Sequence, residues 1–264
     1  GATDIVARLL AEELRQRFDQ PFIVQNRTGA AGNIGLEAVV RAPADGYTLL
    51  QGTMGSLTTN PHLYRDAKFN IERDLLPISL TFKVDHILIV NPKVPAKNVG
   101  ELVAYAKANP DKLTYGSAGV GSSVQMFAVL LEMRTGIKLR HVPYKGSAPA
   151  LADVMAGHID MLMDSVPTSL PQIEAGNTRA LAVTSGVRNK RLPKVPTMME
   201  AGIPDYDTAA WGSLMAPAGT PPDIVKRLSL AVQEAYKKPQ VQTTFSDRGV
   251  EAIASTPEQL SALI

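Results

Sequence analysis

Cysteine is absent from the 264-residue chain. That excludes a disulfide framework and any thiolate metal site. An excess of one charge is also missing: 27 Lys and Arg against 25 Asp and Glu leave a net +2, with no basic run. The electrostatic footprint of a nucleic-acid-binding protein is therefore lacking. No apolar run is long enough to span a bilayer. Histidine is scarce. His62, His86, His141 and His158 form no i, i+4 pair and no H-E-x-x-H, so polar or surface roles are expected of them rather than metal binding. The G-x-S-x-G elbow of a serine hydrolase is absent as well, and neither Gly116-Ser117 nor Gly55-Ser56 supplies one. What remains is a hydrophobic fraction of 45% and a charged fraction of 20%, the composition of a globular chain long enough for one large or two medium domains.

One stretch stands out. "LTYGSAGVGSSVQMFAVLLEM", residues 113 to 133, runs from an apolar strand through a Gly/Ser loop into a helical apolar pattern of Met126, Phe127, Val129, Leu130 and Met133. The unpaired N–H groups of a helix start and the positive end of its dipole favour an anion. Glycines let backbone approach a ligand, and serines add hydroxyls. A Walker A loop is excluded, because Ser122-Ser123 stands where Lys-Ser/Thr is required after Gly121. A dinucleotide fingerprint is excluded too, because Gly119-Val120-Gly121 is followed by Ser122, Ser123 and Val124, with no third glycine. Two readings stay open: a loop for a carboxylate or similar small anion, and an ordinary strand-to-helix turn capped by Ser122.

The rest of the chain alternates strands and helices. Helices are expected over 4–18, from the turn Gly29-Ala30-Ala31-Gly32 to about 41, from a cap at Asn98 to about 109, and over 148–156, 168–175 and 221–237. Strands are expected near 21–25, 47–50, 76–82 and 86–91, at Arg140 to Tyr144, at Ile159 to Met163 and at Ala180 to Thr184. Such alternation argues for an α/β fold with mostly parallel sheets flanked by helices. About ten strands are many for one sheet, so two lobes are expected. Apolar segments 88–94 and 213–217 read as crossovers. They make residues 1–94 and 212–264 a discontinuous first lobe and 95–211 an inserted second one. Trp211, the only tryptophan, then falls at the second crossover. The helical stripe of Ile5, Val6, Leu9, Leu10, Leu14 and Phe18 starts at once. A strand and a cleaved signal sequence are therefore expected upstream.

Asp4 fits a helix first turn. Asp160 and Asp164 lie four apart on an expected strand, so they share a face. Asp164, at the C-terminal end, could meet an ammonium or hydroxyl group of a ligand. Four Gly/Ser/Thr turns, at 1–4, 29–33, 52–56 and 116–123, follow or flank strands, where open α/β sheets place ligands. Two of them, 52–56 and 116–123, fall on different expected lobes. No nucleophile, general base or metal cluster accompanies these turns, which favours binding over catalysis.

The order of these stretches resembles the receptors of the tripartite tricarboxylate transporters, the Bug or TctC family. The likeness runs from "GATDIVARLLAEELRQRF" and "PFIVQNRTGAAGNIGLEAVVRAPADGYTLLQGT" through "LTYGSAGVGSSVQ", "HVPYKGSAPALADVMAGHIDML" and "LPKVPTMMEAG" to "WGSLMAPAGTPPDIVKRL" and "DRGVEAIASTPEQLSALI", essentially the whole chain. The resemblance implies a two-lobed type II periplasmic binding protein with a ligand cleft between lobes, no enzymatic activity and no cofactor. It implies a small carboxylated solute and delivery to a membrane transporter with a large and a small integral subunit; in some members it implies sensing instead. A monomer is the simplest expectation, and a small-molecule transferase or hydrolase is the enzyme alternative. The resemblance also implies the site residues. They are Gly1, Ala2, Thr3 and Asp4 with Thr53, Gly55 and Ser56 in the first lobe. In the second they are Ser117, Ala118, Gly119, Gly121, Ser122, Ser123, Ala148 and Asp164, with Ser165 beside the last. The chain departs from the family before the first loop, where only Gly1 remains of a Pro-Gly-Gly approach, and in a tail that stops early. It departs again at Gln125, where many relatives have histidine. Dicarboxylates, tricarboxylates, acidic amino acids and aromatic acids all remain open as ligands.

Overall fold

The computed structural model describes residues 1–65 and 68–264. In chain order the elements are α1 (Ala2–Phe18), α2 (Asn33–Val40), β1 (Leu50–Thr53), α3 (Asn60–Leu63), α4 (Ile71–Asp74), β2 (Leu75–Val84) and β3 (His86–Val90). Next come α5 (Val99–Ala108), β4 (Thr114–Ser117), α6 (Ser123–Thr135), β5 (Arg140–Pro143), α7 (Ser147–Ala156) and β6 (Met161–Ser165). The chain closes with α8 (Val166–Glu174), β7 (Arg179–Val183), β8 (Ala210–Pro217), α9 (Pro222–Lys237), α10 (Pro239–Asp247) and α11 (Pro257–Leu263).

Gly1 apart, two compact units divide the chain: Ala2–Lys83 with Trp211–Ile264, and Val84–Ala210 inserted between them. The chain leaves the discontinuous unit about ten residues before the boundary at 94 drawn from sequence. The cause is β3. All five of its residues are buried, and it pairs with β6 on one side and β7 on the other, so it is a central strand of the inserted unit.

In the inserted unit a five-stranded sheet runs β5-β4-β6-β3-β7. β4 is parallel to both β5 and β6, as alternating strands and helices predict. β3 is antiparallel to both its neighbours, which departs from the mostly parallel expectation. A strand burying Ile87, Leu88, Ile89 and Val90 completely reads as a continuous apolar run in either direction, so its polarity has no sequence signal. Gly116 fits the helix layer onto this sheet. A Cβ there would lie 2.6 Å from Ile159 Cδ1 and 3.1 Å from Ala150 Cβ. Its role is close packing of α7, not approach to a ligand.

The discontinuous unit holds a three-stranded sheet, β1-β8-β2, with β1 antiparallel to β8. Leu36, Leu50, Leu57, Leu75, Met215 and Leu260 form its core, and Trp211 packs half-buried against them. α1 contributes a separate stripe of Val6, Leu10 and Leu14 at i, i+4 spacing.

Two expected strands differ. Residues 21–25 form none, and Ile23 is 87% exposed. An apolar alternation becomes a strand only where a neighbour takes its N–H and C=O groups, and the described residues provide none here. The strand expected at 47–50 starts at Leu50 instead, because the Tyr47 amide donates to Asp45 Oδ1 at 3.0 Å and closes a turn.

Candidate functional site

The end of β4 turns into α6 through Ala118, Gly119, Val120, Gly121 and Ser122. Gly119 (φ 116°) and Gly121 (φ 91°) occupy left-handed backbone, which only glycine adopts cheaply. Ser122 caps α6: its hydroxyl donates to the Gly119 carbonyl at 2.7 Å and accepts from the Gln125 amide at 3.4 Å. The Ser122 amide also donates to the Gly119 carbonyl. Gly121 N–H donates to Gln125 Oε1 at 2.7 Å, and Gly119 N–H to Ser117 Oγ at 3.1 Å. Among the described residues, the amides of Ala118, Ser123 and Val124 find no such acceptor. They are the loop's spare donors, at the positive end of a thirteen-residue helix.

Two histidines support the serines of this loop, in polar roles of the kind expected of them. His141 of β5 places Nε2 2.6 Å from Ser117 Oγ, and its ring stacks on Tyr115 with centroids 4.8 Å apart. His86 of β3 is fully buried, meets the Phe127 ring edge-on and lies 3.4 Å from Ser123 Oγ. Burial lowers the pKa of both, that of His86 to about 4, although the Val84 carbonyl opposes the shift at His86. Both rings are therefore neutral near pH 7 and bring no positive charge to the loop. Burial also pushes the Tyr115 hydroxyl up to about 12.

Asp164 on β6 faces inward and is completely buried. Its Oδ2 accepts from Thr168 Oγ1 at 2.5 Å and Ser169 Oγ at 2.9 Å, both on α8, while Oδ1 has no partner. Burial raises its pKa, against the pull of those hydroxyls. Asp160 precedes the strand, and its Oδ2 is taken by Thr114 N and Oγ1. Ala148 is exposed in the first turn of α7. The structure gives Asp164 a buried, hydroxyl-bound position.

In the discontinuous unit, β1 leads through Met54 into a π-helical turn, Gly55–Thr59. Thr53 and Ser56 close on each other. Thr53 N–H donates to Ser56 Oγ at 3.1 Å, Ser56 N–H to Thr53 Oγ1 at 3.3 Å, and the two hydroxyl oxygens are 3.1 Å apart. Against this turn lies Gly32, where a Cβ would sit 3.5 Å from Ser56 Cβ. Four successive residues around it, Gly29, Ala30, Ala31 and Gly32, have positive φ. Two alanines in left-handed backbone store strain that surrounding contacts must hold. Asn60 does so, donating to the Ala31 carbonyl at 3.2 Å. In the first turn of α1, Ala2 is buried and Thr3 half-buried; Gly1, just before it, is exposed. Asp4 pairs with Arg8 at 3.0 Å and accepts from Asn26 at 2.7 Å, and the Arg8 guanidinium holds its carboxyl below the usual range. Its charge is committed locally rather than to the Thr53–Ser56 turn.

The receptor family of the tripartite tricarboxylate transporters matches over residues 6–264. The chain belongs to that family. It is 36% identical to protein BugT of Bordetella pertussis, over all of this chain and 81% of that one. Among solved structures it is similar to Rpa4515 of R. palustris with adipate (37% identity, TM-score 0.96, covering 99% of this chain and 88% of that one). It is also similar to MatC of Rhodopseudomonas palustris with bound malate (30% identity, TM-score 0.92, covering 99% and 90%). The receptor thus has the two-lobed type II fold of periplasmic binding proteins, and its family members and structural neighbours are solute-binding receptors rather than enzymes. Among the described residues, no group of His, Asp and Glu could hold a metal, and no helix is long and apolar enough to cross a membrane.

Proposed function

We propose that this receptor captures a small carboxylate in the periplasm and delivers it to a membrane transporter of two integral subunits, acting as a monomer. The loop between β4 and α6 is the main carboxylate subsite. One observation carries this reading: the loop keeps three amides spare at a helix N-terminus, braced by neutral side chains. A carboxylate there gains charge-assisted hydrogen bonds without a counter-charge that would need desolvating. The adipate and malate bound by the two structural neighbours are solutes of this class. Within the discontinuous unit, taken by itself, the Thr53–Ser56 turn and the start of α1, with Ala2 and Thr3, are the candidate solute contacts. Ser56 and Ser117 act as braces of their turns, because their hydroxyls are already engaged. Within the inserted unit, Ala148 and Asp164 border the β4–α6 subsite and tune which solute fits.

The test is a thermal-shift panel of adipate, malate, succinate, citrate, glutamate and benzoate, with neutral sugars and nucleotides as controls. A ligand at a hundred times its dissociation constant adds about 2.7 kcal/mol, which is visible as a raised melting temperature. Shifts confined to one carboxylate class support the reading. Shifts from nucleotides alone refute it.

A further inference from the structure

Gln125, in the first turn of α6, joins the anion loop to the edge strand β5. Its Oε1 accepts from Gly121 N–H at 2.7 Å, and its Nε2 lies 3.4 Å from His141 Nδ1. A backbone N–H can only donate, so the amide oxygen must face Gly121 and the NH2 must face His141. His141 Nδ1 is then an acceptor, and the ring proton belongs on Nε2, facing Ser117 Oγ at 2.6 Å. Ser117 Oγ takes that hydrogen bond together with the one from Gly119 N–H, and its own hydrogen goes to the Gly119 carbonyl at 3.2 Å. The circuit closes with every donor matched to an acceptor, and only with a neutral, Nε2-protonated ring.

We propose that Gln125 is the positioning residue of this loop: acting with His141 and Ser117, it ties back the amides of Gly121 and Gly119 and leaves those of Ala118, Ser123 and Val124 as the donors a solute meets. The proposal rests on the reading of this loop as the carboxylate subsite. It makes the residue behind the loop, rather than one touching the solute, a determinant of how many amides are offered and where. It also couples the loop to the protonation of His141. A protonated ring would set Nδ1–H against the Gln125 NH2. Turning the amide over to relieve that contact would release Gly121. Among the described residues, Tyr115 of β4 stacks on the ring; its hydroxyl also takes a hydrogen bond from the Gln125 side chain and feels the charge of Glu132 of α6, which accepts from the Leu139 amide at 2.9 Å.

The experiment compares wild type, Gln125→Met and Gln125→Glu by 15N NMR and by calorimetry with adipate and malate. In the free wild-type protein the His141 nitrogens should show the Nε2–H tautomer, and the Gly121 amide should be protected from exchange. Gln125→Met removes the hydrogen bonds to Gly121, His141 and the Tyr115 hydroxyl at nearly constant volume. It should mix the tautomers, expose the Gly121 amide and weaken carboxylate binding by ten-fold or more. Gln125→Glu keeps the acceptor for Gly121 but turns a carboxylate toward Nδ1. It should keep Gly121 protected, move the ring proton to Nδ1, and shift the pH at which affinity falls in step with the His141 titration. Should Gln125→Met leave tautomer, protection and affinity as in wild type, while adipate or malate still moves the Ala118, Ser123 and Val124 amides, the proposal alone is overturned. If neither acid moves those amides in wild type, the subsite reading fails and takes the proposal with it.

Discussion

Asn60 donates a 2.6 Å hydrogen bond to the side-chain oxygen of Asn33, and both side chains are buried. The same Asn60 NH2 group reaches the carbonyl of Ala31, in the turn where four successive residues have positive φ. A buried amide pair thereby holds the strained turn that packs on Ser56. Replacing Asn60 with Ala strands the Asn33 oxygen and frees the Ala31 carbonyl. We expect a loss of about 1–3 kcal/mol, the cost of buried polar groups left unpaired. Asn33→Ala keeps the Asn60–Ala31 contact and should cost less. Urea unfolding of the two variants checks the order, and equal losses would contradict a role for Ala31.

Gly212 lies opposite Thr53 in the β1–β8 ladder, and its face is filled by the Phe82 ring. A Cβ there would stand 2.1 Å from Phe82 Cε1 and 2.6 Å from Cζ, and the ring is only 3% exposed. Gly212→Ala must displace a buried aromatic, which costs about 1–3 kcal/mol as overpacking. The double variant Gly212→Ala, Phe82→Leu should recover part of that loss. If it is no more stable than the sum of the single changes, the clash is not the cause.

The stretch proposed as the carboxylate subsite was readable because its chemistry is local. A strand, two left-handed glycines, a serine cap and a helical stripe follow one another within twenty residues, and each constrains its own backbone. His141 was not readable. It lies beyond the whole of α6, and only the parallel register that sets Tyr115 beside His141 brings it to Ser117. His86 is still further away in sequence and reaches Ser123 from β3. Strand parity between Asp160 and Asp164 does not apply, because Asp160 precedes β6, and parity says nothing of α8, whose Thr168 and Ser169 bind Asp164. The first boundary between units was misplaced because a strand buried on both faces looks the same whichever sheet it joins.

Asp164 should be more stable as an amide. Its carboxyl is completely buried, with one oxygen bound by two hydroxyls and the other bare, and burial raises its pKa. A carboxyl whose folded pKa exceeds its unfolded value binds more protons in the native state. Stability therefore falls as pH rises from the ordinary aspartate value through the raised one. Asp164→Asn removes that loss while keeping an oxygen for Thr168 and Ser169. Its advantage over wild type in denaturant midpoint should be absent well below pH 4, grow with pH, and then level off. A variant less stable than wild type at pH 7 would mean that the ionised carboxylate has a partner in the native protein.

His86 gives the opposite dependence, and the two can be separated. Burial holds its folded pKa at about 4, against an unfolded value of 6.5. Above pH 6.5 both states are neutral and the ring makes no pH-dependent contribution. As pH falls from 6.5 towards 4, the unfolded chain takes up a proton that the native chain refuses. Stability then drops by up to about 1.4 kcal/mol per pH unit, on the order of 3 kcal/mol in all. Asp164 acts in the other sense, so the profile of the wild-type protein mixes the two. The difference between His86→Leu and wild type isolates the ring. Leucine removes the titration but also the edge contact with Phe127 and the approach to Ser123 Oγ, a cost that does not depend on pH. The variant should be less stable at pH 7.5 and close that gap steadily between pH 6.5 and 4, as measured by urea unfolding at half-unit steps. A gap constant across that window would show that His86 is protonated as readily in the folded protein as in the unfolded chain, and that the loop beside Ser123 carries a positive charge in acid.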